Sequence, residues 1–188
     1  MRTRGLDVTA SNNFAYNTLY TVDPKIPKIF IEEMYNCARN YSYMQSKNDI
    51  TYRNSKIHWL TWDHWIAGII HNIFISANND YFHYDLDHFD SGIQVTSYEV
   101  GQFYDFHNDM INGSEHKSRK LSMSLCLTDD YEGGELELYN ASDLEPISLK
   151  LKAGEIAIFP SWVVHRVKPI TKGRRVSLVA WMNGPLFK

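Results

Sequence analysis

Hydrophobic residues recur at helical spacing in the first part of the chain and alternate with polar ones from about Tyr81 onward. Asp23-Pro24 makes a fitting helix start, and Ile26, Ile29, Phe30, Met34, Cys37 and Tyr41 follow at helical spacing. A second helix is predicted from about 63 to 77, where Trp65, Ile66, Ile69, Ile70, Ile73 and Phe74 form a broad apolar face. Next, Phe82, Tyr84 and Leu86 alternate with His83, Asp85 and Asp87. The runs 93–100, 121–127, 135–139, 147–151, 155–159, 163–167 and 175–181 repeat that period. Turn signals separate them: Gly133-Gly134, Ala141-Ser142-Asp143, Ala153-Gly154, Phe159-Pro160-Ser161 and Thr171-Lys172-Gly173. About eight short strands after two helices predict an α+β, β-rich fold, a double-stranded β-helix (jelly-roll) core with the N-terminal helices packed on it. No linker or repeat divides the chain, so it reads as a single domain over 1–188, helical to about 78 and jelly-roll from about 79. The stretch to about Asn17 is assigned no element.

Composition narrows the class. Hydrophobic residues make up 44% and charged residues 22%, as in ordinary globular proteins. The 14% aromatic content suits a β-rich fold with a deep, walled pocket. A net charge of −3 and a pI near 6.2 argue against a nucleic-acid partner, whose binding face would be basic. Cys37 and Cys126 lie among apolar residues of predicted core elements, which favours a reducing compartment over a disulfide framework. The opening MRTRGLDVTASNN lacks the apolar stretch of a signal peptide, and no segment approaches the ~18–20 apolar residues of a membrane span. The expectation is a cytoplasmic protein with no membrane partner.

Metal-binding chemistry is suggested by His-x-Asp pairs, whose residues share one side of an extended strand. Three occur: His83/Asp85, His88/Asp90 and His107/Asp109. The first lies opposite an apolar face and reads as the solvated side of an outer strand. The second lies in the polar turn DLDHFDSG. His107 and Asp109 instead follow SYEVGQFYDF, an apolar and aromatic strand with a glycine bend. His165 follows the apolar FPSWVV, as either a satisfied core histidine or a third ligand. Two histidines and a carboxylate leave half of an octahedral Fe(II) open for substrate and oxygen.

Arg175, ten residues after His165, opens the apolar run VSLVAWM. Arginine is costly to bury unless paired. Arg175 is therefore an ion-pair partner of a core carboxylate, a strand-end residue reaching solvent, or a bidentate clamp on a ligand carboxylate.

At these residues the chain resembles the prolyl-4-hydroxylase-like branch of the 2-oxoglutarate- and Fe(II)-dependent oxygenases. The resemblance runs over roughly 53–181 and is carried by YEVGQFYDFHND, RKLSMSLCLTDDYEGGELELY and KAGEIAIFPSWVVHRVKPITKGRR. The segment RNSKIHWL, the aromatic DYFHYDL and Gln94 look like the small bacterial and phage members. The resemblance implies His107, Asp109 and His165 as iron ligands and Arg175 as the residue binding the C5 carboxylate of 2-oxoglutarate. It assigns Tyr98 to the same carboxylate and places Tyr104 near the pocket mouth and Trp181 near the cosubstrate. Ser177 is a candidate further hydroxyl there. Leu125 falls where some relatives carry a tyrosine that contacts 2-oxoglutarate.

The implied cofactors are Fe(II), 2-oxoglutarate and O2, with ascorbate as reductant. The implied activity is hydroxylation, with peptidyl proline of a protein substrate as target, as in procollagen-proline 4-hydroxylases. The loop DMINGSEHKSRK suits covering an extended peptide. Hydroxylation of another residue or a small molecule is the alternative on the same scaffold. From other classes, a zinc hydrolase would need a general base and leaves Arg175 unexplained, and a non-catalytic ligand-binding jelly-roll leaves the whole constellation unused.

Overall fold

The structure is a computed structural model that describes residues 7–8, 19–23, 26–46, 49–61, 63–90, 92–110, 112–114, 117–139 and 145–186. The turn predicted at 141–143 and most of the first 17 residues lie outside these. Two antiparallel sheets face one another, as in a jelly-roll. The larger runs in the order Asp7–Val8, Tyr20–Asp23, Ile156–Pro160, Lys117–Cys126, Arg175–Pro185, Ile93–Tyr98, Lys56–Leu60, Met44–Gln45. The smaller runs Ile147–Leu149, Leu136–Tyr139, Val164–Val167, Phe103–His107, Arg53–Asn54.

Period-two alternation divides the large sheet's side chains between two cores. Leu121, Met123 and Leu125, with Ile156, Ile158 and Leu178 of neighbouring strands, pack on the side of helices α1 (Lys28–Arg39) and α2 (Trp65–Ala77). Cys126, Ala157 and Phe159 turn the other way and meet Leu136, Leu138 and Val167 of the small sheet. From α2, Ile66, Ile70 and Phe74 reach the first core, and each such burial is worth about 1.5–3 kcal/mol. His64 caps α2, its Nδ1 accepting from the Ile66 N–H at 3.4 Å. Among the described residues no helix is long and apolar enough to cross a membrane.

Three expectations need correction. Helix α1 begins at Lys28 and buries Ile31, Met34 and Ala38, leaving Ile29 and Phe30 exposed. The apolar positions between 26 and 41 fit more than one helical phase, and contact with the sheet selected another. The part before 78 is not purely helical, because Arg53–Asn54 and Lys56–Leu60 belong to the two sheets. The alternation at 82–86 is not a strand: a π-helical turn, Asn78–Phe82, ends at His83 in the left-handed region (φ 57°), and Asn78 then holds Tyr84 through hydrogen bonds to its N–H and carbonyl. A side-chain amide thus replaces the strand partner that the alternation anticipated.

Candidate active site

Strand pairing brings the two histidines together. His107 ends Phe103–His107, His165 lies in Val164–Val167, and the two are register partners across the antiparallel pair. Cross-strand partners project to the same face, which places the imidazole centroids 4.2 Å apart. Just beyond the strand, Asp109 is anchored by its N–H on the Ser161 carbonyl at 2.9 Å. Its Oδ1 lies 3.7 Å from His107 Nε2 and its Oδ2 3.5 Å from His165 Nε2. The donor atoms of the three residues all fall within 4.8 Å of one another, the one such cluster among the described residues.

Surrounding groups orient each donor. His107 Nδ1 faces the Asp105 carbonyl at 2.7 Å, and His165 Nδ1 faces the Val163 carbonyl at 2.9 Å. A carbonyl only accepts, so each Nδ1 carries the proton and each Nε2 keeps a lone pair free for a metal. Ser122 Oγ donates to Asp109 Oδ2 at 2.8 Å and is in turn 2.9 Å from Ser161 Oγ. Burial, then the neighbouring His165, pull the His107 pKa down to about 4 against the opposing pull of Asp109. Burial pushes Asp109 up, but His165, His107, Trp181 and Ser122 together leave it below the usual carboxylate value. A neutral His107 imidazole and an ionised Asp109 carboxylate are the protonation states a divalent cation requires of them.

The triad opens onto a cavity of about 240 Å³ whose lining includes Tyr98, Tyr104, Ser177 and Trp181. Arg175 closes one side of it at 1% exposure, with Tyr98 as its register partner. Its guanidinium donates to Ser177 Oγ at 3.1 Å and Ser124 Oγ at 3.3 Å, and its Nε has no partner. None of the ion pairs among the described residues involves Arg175. A fully buried guanidinium met only by neutral hydroxyls, with its Nε unpartnered and a cavity beside it, fits a ligand carboxylate. Gly134 allows the approach: at φ +65° it passes beside the arginine, and a Cβ there would meet Arg175 Cδ at 3.3 Å and Ile170 Cδ1 at 2.3 Å. Tyr98 is buried, which raises its pKa, while Arg53 and Arg175 oppose that rise.

All the residues singled out around His107 are thus brought together, and the competing pairs are not. His83, Asp85 and His88 are exposed. Asp90 serves another purpose, accepting from Arg119 Nε at 2.6 Å while that guanidinium stacks 4.0 Å over Trp181. Leu125 is buried in the helix-side core and does not line the cavity, so no tyrosine contact is lost at that position. Sequence reasoning missed Ser122, Ser124, Arg119 and Arg53. Ser122 and Ser124 were detectable, since hydroxyls alternating with Leu121, Met123 and Leu125 mark a polar inner face.

A jelly-roll holding two histidines and a carboxylate in this geometry, beside a buried arginine, defines the class of mononuclear metal sites with open coordination positions. Residues 93–183 match the family model described as the 2OG-Fe(II) oxygenase superfamily. The family implies Fe(II), 2-oxoglutarate and O2. A PKHD-type hydroxylase of Synechococcus sp. (strain CC9311) is 48% identical over 93 residues, covering 48% of this chain and 40% of the relative. One from Gloeothece citriformis is 41% identical over 89 residues, covering 46% and 40%. The match thus spans about two-fifths of these curated relatives.

Solved structures establish the fold over a longer stretch. A Pseudomonas putida prolyl-4-hydroxylase superposes with a TM-score of 0.73 at 21% identity, covering 88% of this chain and 91% of that one. A Trichoplax adhaerens prolyl hydroxylase, solved with a hypoxia inducible factor peptide fragment, gives 0.71 at 16% identity, covering 88% and 83%.

Proposed function

We propose that this chain is a 2-oxoglutarate- and Fe(II)-dependent hydroxylase acting on proline within a peptide or protein. The observation that carries the cosubstrate assignment is Arg175, buried without a carboxylate partner at the wall of a cavity that opens onto the triad. His107, Asp109 and His165 would hold the iron, and Arg175 and Tyr98 the far carboxylate of 2-oxoglutarate. When bound, iron and cosubstrate supply the oxidising power for hydroxylating a C–H bond, with ascorbate as external reductant.

The protein's own contribution is positional. The Asp105 and Val163 carbonyls fix both imidazole tautomers, and Ser122 holds the carboxylate. Arg175, itself held by Ser124 and Ser177, positions the cosubstrate by a charge-assisted contact. Tyr104 stacks on His107 at 3.5 Å and limits water access from that side. The peptide assignment is supported by the fold shared with prolyl hydroxylases, one of them carrying a peptide, and by apolar exposed residues such as Met110, Tyr139 and Val164.

Anaerobic titration of Fe(II) and 2-oxoglutarate should produce a metal-to-ligand absorption band, and aerobic turnover should release succinate. No band would overturn the oxygenase reading. Incubation with proline-containing peptides should add 16 Da at proline, and a shift confined to another residue type would overturn the prolyl reading alone.

A further inference from the structure

The cavity contains one buried cation more than this function uses. Arg53 lies in the short strand Arg53–Asn54, opposite Tyr104 in register, at 8% exposure. Its Nε donates to Ser55 Oγ at 2.9 Å, and its guanidinium carbon sits 4.4 Å over the Tyr104 ring. That ring stacks in turn on His107, so guanidinium, phenol and imidazole form one column ending at the metal ligand. No ion pair among the described residues involves Arg53.

Charge balance identifies what is missing. Of the three arginines lining the cavity, Arg119 is matched by Asp90, and the one lining carboxylate is Asp109. A divalent cation on Asp109 and a dianionic keto acid on Arg175 cancel to neutrality. Arg53 then remains as a single uncompensated positive charge, an arrangement that strongly disfavours burial. Its hydrogen-bond partners, Ser55 and Tyr98, are neutral hydroxyls and supply no counter-charge. The column also approaches the surface, because Tyr52, edge-on to Tyr104 at 5.7 Å, is 38% exposed.

We propose that Arg53 is a specificity-determining residue that binds a carboxylate of the primary substrate, two stacking contacts away from the His107 imidazole. This deepens the oxygenase reading and rests on it. The carboxylate has two possible sources: an aspartate or glutamate side chain beside the target proline, or the α-carboxylate of a C-terminal or free amino acid.

The test uses the full chain with Fe(II), 2-oxoglutarate and paired substrates: capped peptides with Asp or Asn beside proline, peptides ending in Pro acid or Pro amide, and free L-proline. Succinate release and the 16 Da shift give kcat/KM, and calorimetry under anaerobic conditions gives affinity directly. The carboxylate member of one pair should be preferred by about tenfold to a hundredfold, the worth of hydrogen bonds to a charged group. The preferred pair identifies the source. Arg53→Gln should bring that ratio close to unity and Arg53→Lys should retain part of it. If Arg53→Gln does not fold, the wild-type ratios decide alone. Wild type that binds 2-oxoglutarate yet treats acid and neutral partners equally would overturn this inference and leave the oxygenase reading standing. Failure to bind 2-oxoglutarate would overturn that reading and this inference with it.

Discussion

Replacing Arg175 by methionine removes the charge while keeping a long side chain that fills similar space. The guanidinium is 1% exposed and its partners, Ser124, Ser177 and Tyr131, offer neutral hydroxyls, so a ligand carboxylate would be its one full counter-charge. Truncating one partner of a buried, hydrogen-bonded charge pair costs about 2–5 kcal/mol. At about 1.4 kcal/mol per factor of ten, the Kd for 2-oxoglutarate should rise by roughly thirtyfold to a few thousandfold. Anaerobic calorimetry with metal present measures this directly.

A second measurement separates ligand binding from structure. Were Arg175 a structural ion-pair partner, its removal would destabilise the protein by about 3–5 kcal/mol. As a ligand clamp, it is an unpaired buried charge in the ligand-free state, so Arg175→Met should leave ligand-free stability unchanged or raised in urea titration. Retention of 2-oxoglutarate affinity within about threefold, or a loss of several kcal/mol in the ligand-free protein, would refute the reasoning.

Three further predictions follow from the same geometry. His107→Ala should abolish Fe(II) binding and succinate release, whereas His83→Ala and His88→Ala, both at exposed positions, should retain them; loss of iron in His83→Ala would mean that the wrong pair was chosen. Ser122→Ala removes the hydroxyl donor to Asp109 Oδ2, and metal affinity measured by competition with a chelator should fall about tenfold to a hundredfold. The metal-free protein should lose stability as pH falls from 6.5 toward 4. The depressed His107 pKa of about 4 means that the unfolded chain takes up that proton first, and a Tm that stays flat over this window would contradict it.

Much of the fold was legible because burial on two sides of the large sheet imposes strict alternation on strands such as Lys117–Cys126 and Ile156–Pro160. What failed was information that depends on partners. The phase of α1 is decided by the sheet, since Ile29 and Phe30 are as apolar as the buried Ile31 and Met34. The alternation at Phe82, Tyr84 and Leu86 carries no strand because Asn78, upstream, captures the backbone of Tyr84. Arg53–Asn54 is too short for any period to register, and its place in the small sheet comes from pairing with Phe103–His107.

The site was legible to the extent that its residues break their local pattern. His165 and Arg175 interrupt apolar runs, and an interruption in a buried strand needs a polar partner or a ligand. Arg53 breaks no pattern: in RNSKIHWL it reads as one more polar residue of a connecting segment. It becomes informative only once strand pairing places it opposite Tyr104, and Tyr104 against His107. His165 and Arg175 point inward from strands whose other residues are largely apolar, and so leave a trace in the pattern. Arg53 sits on a two-residue strand, where periodicity is absent. That division explains why the residues around His107 could be singled out in the sequence while Arg53 emerged only from its packing on Tyr104.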